Sequence, residues 1–147
     1  MRSTYLDHAA TTPMHPEAVA AMLPYLTEQF ANPSGSHRRA REARTAVDDA
    51  RDVVAGLLGC APGEVIFTGG GTEADNTAVL GAAEATGGTV LCPAAEHHAV
   101  LAAVEHVGGH TVRCDAAGAA DLEALEAALR TNPNVGVVSV MAVNNEV

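Results

Sequence analysis

The chain has 147 residues and contains no lysine, no tryptophan, two phenylalanines, two tyrosines and three cysteines. Its eight basic residues are all arginine: Arg2, Arg38, Arg39, Arg41, Arg44, Arg51, Arg113 and Arg130. Against 18 acids they leave a net charge of −10, which excludes nucleic acid as an expected partner, because a phosphate backbone demands basic patches. Four arginines fall between Arg38 and Arg44 with Glu42 among them, the pattern of a solvated helix face. Cys60, Cys92 and Cys114 are odd in number and share no ligand spacing, so no metal site is expected, and they read as free thiols in a reducing compartment. No apolar run approaches the roughly 20 residues of a membrane-spanning helix, and the N-terminus carries no apolar targeting segment. A cytoplasmic address and no membrane partner are the expectations. The missing lysine leaves no side-chain amine for covalent catalysis.

What is present suits a globular domain. Hydrophobic residues make up 48% of the chain, and the length is enough to bury a core. Abundant alanine beside scarce aromatics points to many helices in close contact.

Residues 1–14 read as an extended arm. Pro16 fits the first turn of a helix, with Val19, Met22, Leu23, Leu26 and Phe30 at helical spacing and Pro24 placed to kink or split it. Asn32-Pro33-Ser34-Gly35 is a turn. A second helix is expected from about Ser36 to Leu58, with Ala40, Ala43, Val47, Ala50, Val54 and Leu57 on one face and Gly59 as its cap. Strands and helices then alternate: strand Val65–Thr68, helix Thr72–Glu84, strand Thr89–Cys92, helix His98–Val107, strand Thr111–Cys114, helix Asp121–Leu129, strand Val135–Val143. The last strand is apolar on both faces, as a central buried strand would be. The alternation predicts an α/β fold with a helix-covered, largely parallel sheet.

One stretch carries chemistry. Phe67-Thr68-Gly69-Gly70-Gly71-Thr72 places three glycines and a hydroxyl residue at a helix start. Glycine lets backbone approach an anion closely, and the first helical N–H groups have no partner inside the helix. A phosphate site fits this, as does a plain glycine-rich turn with Thr72 as a cap. In open sheets ligands sit at the carboxyl ends of strands, and there Glu96-His97 and Asn144-Asn145 also fall.

Tyr5-Leu6-Asp7-His8-Ala9-Ala10-Thr11-Thr12-Pro13, Asn32-Pro33-Ser34-Gly35-Ser36-His37, the glycine stretch, Glu96-His97-His98-Ala99-Val100 and Val143-Asn144-Asn145-Glu146-Val147 follow one another in order. Together they resemble the N-terminal half of a cysteine desulfurase, a member of the class V aminotransferase group of pyridoxal phosphate (PLP) enzymes. The resemblance covers essentially the whole chain. It implies the large domain of the fold type I PLP enzymes, truncated: residues 1–14 as an arm and 15–147 as the N-terminal part of the PLP-binding domain. It implies PLP as cofactor, L-cysteine as substrate and alanine plus an enzyme-bound persulfide as products. The sulfur would go to an acceptor or scaffold protein for iron–sulfur cluster or thio-cofactor assembly, and the complete protein would form a homodimer.

By the same resemblance Gly71 and Thr72 bind the PLP phosphate. His97 stacks on the pyridine ring and shuttles protons. Asn145 lies near the PLP phenolic oxygen and the substrate carboxylate, with Asn144 the residue most easily mistaken for it. His98 is expected to be structural. His8, Thr11 and Thr12 line the entrance or hold the arm, and Asn32 and His37 either position a helix or touch substrate. Gly69 stands where many relatives carry serine. The family's cofactor-holding lysine and sulfur-accepting cysteine match nothing in this chain, so the 147 residues alone are expected to be inactive. Selenocysteine lyase or another class V relative is an alternative for the intact protein, and a catalytically inert fragment a second. Gly69-x-Gly71-x-x-Ala74 formally fits a dinucleotide fingerprint, but it follows some 65 residues of arm and helix rather than a first strand.

Overall fold

The computed structural model describes residues 4–144 and 146. The chain clusters into two compact units, Met1–Phe67 and Thr68–Val147.

The first unit contains helix α1 (Pro16–Thr27), helix α2 (Arg38–Leu58) and a single 3-10 turn at Pro62–Glu64. Pro16 opens α1 as expected. Pro24 does not split it: the helix runs through to Thr27, and the Pro24 carbonyl accepts the N–H groups of Glu28 and Gln29 at 2.9 and 2.8 Å. Helix α2 begins two residues later than expected, because His37 caps it, its Nδ1 accepting the Ala40 N–H at 3.2 Å. Gly59 ends it in the left-handed conformation (φ 71°), which glycine adopts without steric cost. Of the expected apolar face only Ala40 and Ala43 are buried, joined by Ala55, while Leu57 stays exposed.

The arginine cluster does more than solvate a helix. Arg41 donates to the Ser36 carbonyl at 2.5 Å, Arg44 to the Pro33 carbonyl at 2.7 Å and Arg39 to the Glu28 carbonyl at 3.3 Å. These three fasten the chain between α1 and α2. Asn32 folds the same turn, its Oδ1 accepting the Ser34 N–H and its carbonyl the Gly35 N–H.

The expected strand Val65–Thr68 is not formed. Val65 has extended backbone (φ −96°, ψ 121°), but no ladder among the described residues includes it. Apolar β-branched residues favour extended backbone; a strand also needs a neighbour for its N–H and C=O groups.

The second unit alternates helix α3 (Gly71–Thr86), strand β1 (Thr89–Pro93), helix α4 (His98–His106), strand β2 (His110–Val112), helix α5 (Leu122–Thr131) and strand β3 (Val135–Val138). The sheet is parallel, in the order β2-β1-β3, with Leu91 opposite His110 and Val138. Here the predicted α/β alternation is realised element by element. Among the described residues the middle strand is β1, whose Val90, Leu91 and Cys92 are all buried, and the expected strand Val135–Val143 is formed only over Val135–Val138. β3 is a short edge strand among the described residues, half-buried at Val135 and Val137 and exposed at Gly136 and Val138. An apolar run reports potential for two-sided burial but not position in the strand order.

The core joins Val79 of α3, Val90 and Cys92 of β1, and Val100, Ala103 and Val104 of α4, flanked by Leu80, Ala83, Leu101 and Val137. Each fully buried valine contributes about 1.5–3 kcal/mol, so this patch holds the unit together. Small residues let backbones meet. A methyl group on Gly88 would lie 2.6 Å from the Gly136 nitrogen and 2.7 Å from the Asn134 carbonyl oxygen, and one on Gly136 would strike the Thr86 side chain. Helix α3 packs on both β1 and β3 and feeds β1 through Gly87-Gly88. It therefore runs antiparallel to the strands, and its N-terminus lies towards their carboxyl ends.

Candidate active site

Three segments of the second unit end at that carboxyl edge: the glycine loop before α3, the turn between β1 and α4, and the chain beyond β3.

The glycine loop is open. Gly70 caps α3 with extended backbone (φ 167°, ψ 175°) that any residue can adopt, and a methyl group on Gly70 or Gly71 would meet nothing within 4 Å. Neither strain nor packing inside this unit therefore requires glycine there; what the missing side chains preserve is empty space in front of a helix start. Gly70 accepts the Ala74 N–H, while the N–H groups of Gly71, Thr72 and Glu73 belong to the first turn and have no intrahelical acceptor. Thr72 is exposed, with its hydroxyl free of any hydrogen bond among the described residues. One donor of the loop is already taken: Glu73 Oε2 accepts the Gly69 N–H at 2.6 Å. The loop thus binds a carboxylate oxygen of its own, a contact the sequence reading missed. An acid one turn into a helix that follows a glycine run was the available signal.

His97 is the cap of α4. Its Nδ1 accepts the Ala99 N–H at 3.1 Å, and the residue is exposed. His98 begins the helix beside it, the two rings 6.2 Å apart and tilted by 55°. His97, Glu96, His98, Met141, Asn144 and Glu146 line a depression of about 180 Å³.

Glu96 is the second residue the sequence reading undervalued. It is 7% exposed, and its Oε1 accepts the Met141 N–H at 2.5 Å. Asn144 reinforces the link, its Nδ2 donating to the Ala95 carbonyl at 2.7 Å. An ionisable acid three residues beyond an apolar strand was the available signal.

The structure thus brings His97 together with the chain around Asn144, whereas Gly71 and Thr72 line a separate, wider depression with Asn76, Thr77 and Leu80. Asn145 lies outside the described residues. His37 and Asn32 build the helix start in the first unit, and Tyr5 packs edge-on against His8, ring centres 5.0 Å apart, within the arm. Among the described residues no group of three or more His, Cys, Asp or Glu could hold a metal ion.

The class-V aminotransferase family model matches residues 4–147. The chain belongs to that family. It is 44% identical to an IscS-like cysteine desulfurase of Mycobacterium tuberculosis, covering 97% of this chain and 39% of that protein. It is also 44% identical to a cysteine desulfurase of Cereibacter sphaeroides, covering 99% of this chain and 40% of that one. Among solved structures it matches a NifS-like protein with a TM-score of 0.88 at 32% identity, over 96% of this chain and 40% of the other. It matches SspA in complex with cysteine with a TM-score of 0.86, also at 32% identity, over 99% of this chain and 44% of the other. The chain therefore spans about 40% of the length of these class-V relatives, and the expected α/β fold is theirs.

Proposed function

We propose that this chain contributes the phosphate-binding and ring-facing part of a PLP-dependent cysteine desulfurase. The observation that carries the reading is the open start of α3, where Gly70 and Gly71 leave free space before unpaired N–H groups and the Thr72 hydroxyl. Such a helix end suits a dianion such as a phosphate ester. The phosphate part of the cofactor therefore fits; the covalent part does not lie within these 147 residues, which hold no lysine.

When bound, PLP supplies an electron sink that weakens the bonds to an amino acid's α-carbon. This chain's own residues do the rest in the following way. Gly71 and Thr72 hold the phosphate, and the Glu73 carboxylate, by engaging Gly69, keeps the loop in shape for it. His97 places an imidazole against the ring, and Asn145 orients the phenolic oxygen or the substrate carboxylate. Residues 1–14 act as an arm on a larger domain begun by residues 15–147. L-cysteine is the substrate, sulfur passes to an acceptor or scaffold protein, and the working form is a homodimer. Three cysteines outside any disulfide suit a cytoplasmic setting.

The test uses protein expressed from the whole reading frame, supplied with PLP and L-cysteine. Alanine should form in step with sulfide released by a thiol reductant. Tight PLP binding without alanine would refute desulfuration while leaving a different class-V reaction; no PLP binding at all would refute the site. Replacing Thr72 with Ala should lower PLP retention on dialysis, with activity returning when PLP is in excess, since a hydrogen bond to a charged group is worth about 1.5–3 kcal/mol.

A further inference from the structure

His97 carries a constraint that its place in the sequence does not reveal. Its Nδ1 lies 3.1 Å from the Ala99 backbone nitrogen and accepts that N–H as the cap of α4. A backbone amide is only a donor, so the ring nitrogen facing it must present a lone pair. An imidazole with its proton on Nδ1, or an imidazolium with protons on both nitrogens, would set two N–H groups against each other. In the capped geometry the proton is therefore on Nε2. That nitrogen has no partner among the described residues, and the exposed ring borders the depression shared with Glu96, Met141 and Asn144.

From this we infer that His97 works as a neutral hydrogen-bond donor through Nε2–H, with its tautomer set by the Ala99 amide, and not as the proton-accepting base. An Nε2 that already carries the proton has no lone pair to receive another. Taking one up would require the proton to leave first, or the cap to break and the ring to change tautomer. A neutral imidazole held at a helix start and donating to a ligand oxygen is an established way to polarise that oxygen. The acceptor class is accordingly an oxygen of the bound cofactor or substrate, carbonyl or anionic. Proton removal from the substrate then falls to another group. The catalytic part of this inference rests on the PLP reading above; the tautomer does not.

Two measurements separate the parts. In the 147-residue chain labelled with ¹⁵N, two-bond nitrogen–proton spectra identify which His97 nitrogen is protonated, the signals being assigned by their loss in His97→Ala. In the neutral imidazole a protonated-type shift at Nε2 and an unprotonated one at Nδ1 is expected. The Nδ1–H tautomer, or a mixture of the two, overturns the inference whatever the protein's reaction.

In protein from the whole reading frame, His97→Ala is compared with His97→Gln, whose amide donates an N–H but cannot act as a base. Loss of a positioned donor costs roughly 10²–10³-fold in kcat, so His97→Gln should exceed His97→Ala by at least about tenfold. Equal loss in both variants, with their melting temperatures alike and PLP bound, assigns a proton-transfer role and overturns the donor role. If neither variant nor parent binds PLP, the functional reading fails while the tautomer result stands.

Discussion

The Glu96 carboxylate accepts the Met141 N–H at 2.5 Å, joining residues 45 apart in the chain. With the Asn144 side chain on the Ala95 carbonyl, it ties the turn that carries His97 to the segment that carries Asn144. The two loops are therefore one piece of structure, and a change at Glu96 is felt on both sides.

Replacing Glu96 with Ala should leave the half-buried Met141 amide without its acceptor, at a cost of about 1–3 kcal/mol. Glu96→Gln keeps an accepting oxygen and should lose less. Hydrogen exchange at the Met141 amide reads this directly: fast in the alanine variant, slow in the parent and in the glutamine variant. Equal protection in all three would show that the bond does not hold the loop.

Gly88→Ala should be strongly destabilising, because the added methyl runs into the backbone of Asn134 and Gly136. Both contacts are main chain and cannot swing aside, so the cost should reach or exceed the ~1–3 kcal/mol typical of overpacking. By contrast Gly70→Ala, with open space around it, should melt as the parent does. Thermal unfolding of the two variants side by side is the check.

Asp121 couples α5 to acidity. Its carboxyl is held below the ordinary value of 3.8, chiefly by the Ala124 N–H it accepts at the helix start and next by the Arg113 guanidinium. A lowered acid pKa contributes stability that is present above the ordinary value and is lost as pH falls through the lowered one. Asp121→Asn, which can still cap α5 but does not ionise, should therefore be less stable than the parent at pH 6, and the difference should shrink below pH 3.8. Paired acid titrations by circular dichroism test this; a gap that widens in acid would contradict it.

Cys92 is buried, and burial first, then the nearby Glu96 and Cys114, pushes its thiol up from 9.0 to about 11. The thiolate is the reactive form, so Cys92 should resist iodoacetamide at pH 8 in the folded chain and react once urea unfolds it. The sign for stability follows. The unfolded thiol ionises near pH 9.0 and the folded one only near 11, so native stability should fall across that window and be unaffected by this group below it. Cys92→Ala should flatten that alkaline fall.

Much of this fold was legible in the residues. The alternation after Thr68, the Gly59 cap and the Asp121 cap follow from periodicity and turn chemistry, which act within a few residues. What could not be read was order across the sheet. Val135–Val143 is apolar enough for burial on both faces, yet among the described residues the strand stops at Val138 and pairs on one side only, with β1. Val65-Ile66-Phe67 has the composition of a strand and no ladder. At the site, the glycine loop and His97 stood out by residue type. Glu96 and Glu73 did not, because their importance lies in a backbone amide reached through space. The helix-positioning role of His37 was visible as a possibility, but only geometry fixes which ring nitrogen is engaged.

Strand β1 lies between two strands that both come later in the chain, and its pairing with β3 must close over α4, β2 and α5. Contacts so distant along the chain are slow to form. During synthesis at about 5–20 residues per second, Val90-Leu91-Cys92 waits for seconds with no ladder on either side. For that interval the middle strand of the three is the most adhesive part of the chain, and a nascent chain stalled before His110 presents to a holding chaperone a segment that the folded unit hides.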